Sequence, residues 1–304
     1  MENIELNCPV LYNMDLYGCI GCHVRKTHHN YHESIEVAVT RAQTFGIKAS
    51  VFQIFAIGPQ SSRLNITEDD IIGLSKLPQD IIIHSSYLTR LWDGKNEGIT
   101  YNAERILLKE LDICHRIDGL GVIVHVPNVE PAKIVAKMKH ICKKYQTHHS
   151  SRKIPTIYLE MEYKAGPFTL DKPKNMMKLL ELGLPESCGF CVDTAHLFAS
   201  GINITEQSTA KAYLEDIQAL ERPITVALND QVYGFGKGRD QHASLCHGSI
   251  WGKFLDFDTP KLKKSGLYEF VKFIDKFQIP TILERREDSL DLDYQILQRL
   301  EWRG

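Results

Sequence analysis

Apolar residues in this chain fall into short, nearly continuous runs, separated by longer stretches in which they recur every three or four positions. The short runs are Gly18–Val24, Ala49–Phe55, Asp80–His84, Gly121–Val126, Thr156–Glu160, Gly189–Asp193, Ile224–Asn229 and Thr281–Glu284. Segments such as DIIIH, GVIVHV, TIYLE, GFCVD and TILE lack polar alternation, so they read as strands covered on both faces, the pattern of a parallel sheet. The longer stretches read as amphipathic helices. His32–Phe45 places Ile35, Ala38, Val39 and Ala42 on one face, and Thr67-Glu68-Asp69-Asp70 is a capping box that opens another helix. Further helices are expected at Ala103–Ile117, Pro131–Tyr145, Lys174–Leu182, Gln207–Leu220, Leu262–Lys276 and Leu290–Leu300. Eight strands, each followed by a helix, predict an α/β fold of the TIM-type (β/α)8 barrel kind, whose core is typically ~250 residues. No repeat, low-complexity tract or linker divides the 304 residues, so a single domain over 1–304 is expected, with 1–16 as an extension ahead of the first strand.

Active sites of such barrels lie at the C-terminal ends of the strands. Five of the eight expected strands finish on a potential metal ligand: His84, His125, Glu160, Asp193 and Glu284. His supplies 13 and Asp plus Glu 38 of the 304 residues, so chance alone would end about one or two strands this way. Two carboxylate–imidazole pairs extend the set: Asp193 with His196, and Asp240 with His242. Imidazole suits zinc and similar ions, and a carboxylate can bridge two ions, so many convergent side chains of these types point to a multinuclear metal site. Neighbouring ions are the arrangement that stabilises both the attacking and the leaving oxygen in phosphoester hydrolysis.

Composition narrows the partners. Lys plus Arg is 36 against 38 acidic residues, a formal net charge of −2, which excludes a nucleic-acid binder working by bulk positive charge but leaves room for a local patch or bound metal. No apolar run reaches the ~18–20 residues that cross a membrane. MENIELNCPV carries no secretory pattern, and 8 cysteines are too sparse for a disulfide scaffold. Free thiols in an intracellular, reducing compartment are expected. Cys19-x-x-Cys22 lies inside the first expected strand without a second such pair, so it reads as core thiols rather than a zinc ribbon. His28, His29, His148 and His149 read as solvated loop residues. Gly234-Phe235-Gly236-Lys237-Gly238 lacks the strand–loop–helix setting of a P-loop and reads as a flexible loop carrying Lys237 and Arg239.

The chain resembles the endonuclease IV family of zinc-dependent apurinic/apyrimidinic (AP) endonucleases. The matching pieces are Gly21-Cys22-His23-Val24, His84-Ser85-Ser86-Tyr87-Leu88, Val124-His125, Leu159-Glu160, Cys191-Val192-Asp193-Thr194-Ala195-His196, Leu228-Asn229-Asp230, Asp240-Gln241-His242-Ala243-Ser244-Leu245 and Leu283-Glu284. They occur in the family's order from the first strand to the eighth, and details such as FQIF, HASL and IPTILER look most like members encoded by large DNA viruses. The resemblance implies up to three Zn2+ ions. His84 and His125 would hold one; Glu160 would bridge to a second, also bound by Asp193 and Glu284; His196, Asp240 and His242 would hold the third. Against the four carboxylates, three such ions leave the pocket at about +2, which lets a slightly acidic protein meet a phosphate backbone. Tyr87 falls where the family has a tyrosine beside the DNA, and the loop Gly58–Arg63 falls where it inserts side chains into the duplex.

Two positions depart from the family. Its metal-binding histidine in H-L-N-D is replaced in Ala227-Leu228-Asn229-Asp230, which removes one donor from the second ion, and Cys246-His247-Gly248 carries a histidine where the family has glutamate. The resemblance implies hydrolysis of the phosphodiester 5′ to an abasic site in double-stranded DNA, leaving a 3′-hydroxyl, with Glu160 and Glu284 as catalytic carboxylates. Glu284 would both bind metal and orient or deprotonate water. Tyr87, Arg63, Lys237 and Arg239 would contact DNA, and the protein is expected to be a monomer of the cytoplasm, nucleus or virion. With Ala227 in place, two firmly held ions and one labile ion are expected. One alternative is a sugar isomerase or epimerase of the xylose-isomerase-like barrels, which leaves His84/His125 and Asp240/His242 without a role. The other is a non-catalytic abasic-DNA binder that has lost activity through Ala227.

Overall fold

The computed structural model describes residues 19–27, 29–92, 97–252, 259–286 and 289–300; the expected extension 1–16 and His28 lie outside these. The strands are β1 (Ile20–His23), β2 (Val51–Ile54), β3 (Asp80–His84), β4 (Gly121–Val126), β5 (Thr156–Met161), β6 (Cys188–Asp193), β7 (Ile224–Ala227), the short pair β8 (Asp230–Gln231) and β9 (His242–Ala243), and β10 (Thr281–Arg286). All except β8 and β9 pair in parallel and close into a barrel in the order β1-β10-β7-β6-β5-β4-β3-β2. The helices are α1 (Tyr31–Gln43), α2 (Glu68–Leu74), α3 (Glu97–Arg116), α4 (Pro131–His148), α5 (Pro173–Glu181), α6 (Thr194–Ser200), α7 (Gln207–Gln218), α8 (Thr259–Leu262), α9 (Gly266–Phe277) and α10 (Asp291–Arg299). The expected TIM-type barrel is therefore the fold.

Local chemistry sets the helix starts. Asn30 caps α1 by accepting from Glu33 N at 2.8 Å, Thr67 and Asp70 form the anticipated reciprocal box at α2, and Ser265 caps α9. That serine starts α9 four residues into the expected helix Leu262–Lys276, and Leu262 belongs instead to the end of the separate α8. A short helix missing from the sequence reading, α6, follows β6 directly; its N-cap is Asp193, itself a proposed metal ligand. The seventh strand ends at Ala227 rather than Asn229, and Leu228–Asp230 turns back over the barrel mouth into the small hairpin.

Strand periodicity sorts the side chains. Outward positions such as Phe52, Ile83, Val124, Leu159, Phe190, Val226 and Leu283 pack between barrel and helices. Inward positions form a second, smaller cluster, Val51, Ile82, Ile123, Tyr158, Cys191, Ala227 and Ile282, which fills the barrel. Gly21 takes the corresponding place on β1, where a Cβ would stand 1.5 Å from the Val51 carbonyl oxygen. Two residues further along each strand, the same alternation turns His23, Gln53, His84, His125, Glu160, Asp193, Asn229 and Glu284 inward. The hydrophobic plug below is thus capped by a ring composed entirely of polar side chains, all buried except His125, about a quarter exposed, and the half-buried Glu284. None of the seven described cysteines forms a disulfide, and no described helix is long and apolar enough to cross a membrane.

Candidate metal centre

The polar ring and the hairpin above it bring the strand-end residues together. Three groups have ligand atoms lying within 4.8 Å of one another: His84, His125 and Glu160; Asp193, His196 and His242; and Glu160, Asp193 and Glu284. Shared Glu160 and Asp193 join the three into one continuous centre. Asp240 stands beside the second group, 3.5 Å from His196 Nε2 and 3.2 Å from His242 Nε2. All eight residues expected as ligands therefore converge at the barrel mouth.

The surroundings aim these atoms inward. The Nδ1 atoms of His84 and His196 meet the carbonyl oxygens of Ser85 and Met161 at 2.8 Å, and His242 Nδ1 lies 3.4 Å from the Glu284 carbonyl. Protonated on Nδ1, each imidazole leaves Nε2 as the donor to a metal. Asp193 Oδ1 is occupied in capping α6 through His196 N, so the D-T-A-H spacing lets the cap place the next ligand one turn on. The β8–β9 hairpin carries Asp240, just before β9, and His242, its first residue, back over the mouth, and buried Asp230 anchors this excursion by accepting from Gln231 N, Gly248 N and Ile250 N. The Leu228-Asn229-Asp230 element divides the labour. Leu228 enters the core, Asn229 donates from Nδ2 to Asp193 Oδ2 at 2.9 Å and accepts from Glu284 N at 2.9 Å, and Asp230 fastens the loop.

The residues fit metal ions. Both oxygens of fully buried Glu160 and Nε2 of His242 have no hydrogen-bond partner of good geometry, although Glu160 Oε2 lies 3.1 Å from His125 Nε2 and 3.4 Å from His84 Nε2. Native interiors rarely leave such groups unsatisfied. The local field also favours cations. Burial pushes the Glu160 carboxyl up, but the neighbouring imidazoles outweigh it and hold the group well below the usual range. Burial lowers His242, yet Asp240 and Asp193 raise it to about 9. Burial lifts Asp193 to about 6 despite its two histidine neighbours, since Glu284 and Glu160 add like charge.

A cavity of about 700 Å³ opens above the centre. Half-exposed Tyr87 stands on its rim, its ring 5.5 Å from those of His84 and His125. The turn that carries His84 and Tyr87 is held by Glu110 of α3, which accepts from Ser85 Oγ and from Ser86 N. Burial raises Glu110 to about 7. Ser86 Oγ meets the carbonyls of Pro59 and Ser61 at 3.1 and 3.0 Å, tying this turn to the loop 58–63. Arg63 on that loop is exposed and does not line the cavity. Neither do Lys237 and Arg239. Their loop is pinned to α6 by Gly236 N and Gly238 N, and Arg239 lies over Tyr233 at 5.3 Å. His247 is also outside the lining, with Nδ1 2.9 Å from the Leu245 carbonyl. Lining residues that sequence reasoning missed are Arg90, Trp92, Glu162, Tyr163 and Lys164. The last three directly follow the β5 ligand, which is the signal that could have found them. His29 is exposed as expected, His148 is exposed but ends α4 rather than lying in a loop, and His149 is half-buried against Tyr145, with ring centroids 4.6 Å apart.

A parallel barrel with clustered His, Asp and Glu at its C-terminal mouth defines the chain as a TIM-barrel protein with a candidate multinuclear metal centre. No protein-family profile matches the sequence. A probable AP endonuclease of African swine fever virus (isolate Tick/Malawi/Lil 20-1/1983) is 32% identical over 272 residues, covering 84% of this chain and 86% of that protein. A probable endonuclease 4 of Thermosipho melanesiensis is 26% identical over 261 residues, covering 81% and 87%. The crystal structure of AsfvAP:AG matches with a TM-score of 0.77 at 28% identity, over 93% of this chain and 96% of that one. The chain belongs to the AP endonuclease family that includes endonuclease IV.

Proposed function

We propose that this protein is a DNA-repair endonuclease that hydrolyses the phosphodiester 5′ to an abasic site in double-stranded DNA, leaving a 3′-hydroxyl, with zinc held at the barrel mouth. The observation that carries this reading is the fusion of three ligand groups through Glu160 and Asp193, since neighbouring ions suit in-line displacement at phosphorus. His84, His125 and Glu160 would hold one ion, Glu160, Asp193 and Glu284 a second, and His196, Asp240 and His242 a third. When bound, such ions polarise a phosphate oxygen and lower the pKa of water. Glu284 is held by Gln53 at Oε1 and by Asn229 near Oε2, which positions its carboxylate to take a proton from the attacking water. The oxygen of that water bonds to phosphorus as the P–O3′ bond breaks, and the proton taken from the water returns to O3′, which leaves as the 3′-hydroxyl. Tyr87 offers an exposed ring at the rim, and Arg90 and Lys164 add positive charge where a phosphate backbone would enter. An abasic nucleotide has lost its stacking, so moving it into the cavity costs less than for a normal one.

A zinc-loaded preparation should nick a duplex containing one tetrahydrofuran abasic site, and the nicked strand should be extendable by a polymerase. Tight binding without nicking would favour the non-catalytic reading based on Ala227. Interconversion of aldoses and ketoses with an intact duplex would favour the sugar isomerase.

A further inference from the structure

Gln53 lies in the ligand ring on β2 and is 2% exposed. Its Nε2 donates to Glu284 Oε1 at 2.8 Å and lies 3.4 Å from His23 Nδ1. Both neighbours can accept, so the amide's orientation is fixed with nitrogen toward them. That leaves Oε1 buried with no hydrogen-bond partner. Within the three ligand groups the other atoms in this condition are the two Glu160 oxygens and His242 Nε2, all of them candidate metal donors, while Trp92 Nε1 on the cavity wall is a further one that cannot bind a cation. A buried amide oxygen without a donor is unfavourable unless something else satisfies it.

Ala227 has no donor atom and its methyl belongs to the hydrophobic plug beneath the ring, so nothing on β7 replaces an imidazole there. Asn229, the next inward residue, spends both its amide atoms on Asp193 and Glu284. Gln53, by contrast, reaches the second ligand group through its bond to Glu284 and keeps its oxygen free. We propose that Gln53 supplies, through Oε1, the donor that Ala227 lacks, completing the set of Glu160, Asp193 and Glu284. A glutamine can ligate through oxygen while its amino group restrains the neighbouring carboxylate, so one side chain would both bind the ion and orient Glu284. This inference rests on the metal-centre reading above, and it replaces the expectation that the second ion is labile.

The test is zinc stoichiometry and affinity, measured by elemental analysis and chelator competition on the full chain, for wild type, Gln53→Leu and Gln53→Asn. Leucine is nearly isosteric and removes the donor. Asparagine keeps the amide but withdraws it by one methylene, which preserves the test if the leucine variant is insoluble. Both variants should lose one zinc equivalent, or bind the weakest ion at least 10-fold less tightly, while the remaining zinc is retained. Unchanged stoichiometry and affinity in a variant of a zinc-binding wild type would overturn the role of Gln53 and leave the metal-centre reading standing. A folded wild type that takes up no zinc would overturn both.

Discussion

Asn229 donates from Nδ2 to Asp193 Oδ2 at 2.9 Å, directly linking the residue that ends β6 to the turn that leaves β7. Its Oδ1 holds the Glu284 backbone at the same distance, so one amide positions ligands from two strands. Asn229→Ala should therefore lower the single-turnover rate on abasic duplex by at least 10-fold, a barrier change of about 1.4 kcal/mol. KM should stay within about 2-fold, because Asn229 does not line the cavity. Loss of the buried bonds should lower stability by about 1–3 kcal/mol. A variant with a raised KM and an intact rate would show that Asn229 serves DNA binding instead.

Ala227 pairs with Asp193 across β6 and β7, so a side chain introduced at 227 starts beside the second ligand group. In a Gln53→Leu background, Ala227→His should restore both the lost zinc equivalent and the cleavage rate. In the wild-type background the same change should alter zinc content little, since the set is already complete. The imidazole must fit beside Cys191 and Ile282, and overpacking there should cost about 1–3 kcal/mol, read as a lower melting temperature. If Ala227→His alone raises zinc content and rate together, the second ion of the wild type lacks a donor after all.

The barrel and its ligands were legible because both follow from strand periodicity. Buried parallel strands leave nearly unbroken apolar runs, and the polar residue ending each run must face the barrel mouth. The same logic was silent on Gln53, which sits inside an apolar run and is not among the residue types usually read as zinc ligands. The end of the seventh strand is not marked in the sequence, because Leu228 prolongs the apolar run and Asn229 keeps the inward phase of the strand, while the ladder already stops at Ala227. α6 is hidden in the sequence because its N-cap is the ligand Asp193 itself, so one residue serves both as metal donor and as helix start. Arg63, Lys237 and Arg239 stand out in the sequence by charge and motif position and lie outside the cavity wall, whose positive charge comes from Arg90 and Lys164, placed by loop paths that no periodicity encodes.

DNA affinity should fall with salt. Neutralising each phosphate contributes about −0.9 to the slope of log affinity against log salt concentration. Lys164 is exposed on the cavity wall, so Lys164→Ala should make that slope shallower by about 1 while leaving zinc content unchanged. Matched variants at Arg63, Lys237 and Arg239 rank the residues outside the wall by the same measurement. An affinity that does not change between about 50 and about 200 mM salt would argue against phosphate contacts at this mouth.

Away from the mouth, Glu104 of α3 ties α4 to its neighbour through Lys137 at 2.8 Å, Lys144 at 3.1 Å and His140 at 3.3 Å. Burial raises the Glu104 carboxyl, but the bonds to Lys137 and Lys144 outweigh it and bring the group down to about 2. An unfolded glutamate titrates near ~4.3, so the folded state holds the proton less tightly. The stabilisation is therefore fully present above the unfolded value and disappears as pH falls through the folded one. Glu104→Gln should lower stability at pH 7 by about 1 kcal/mol, the scale of a partly solvated ion network screened by water. The difference between wild type and variant, measured by denaturant titration at each pH, should hold from neutrality to about pH 5 and close toward about pH 2. Comparing the two proteins cancels the other carboxylates that titrate in this range. A difference that is constant over the whole range would mean that Glu104 acts through packing, and one that grows on acidification would reverse the sign argued here.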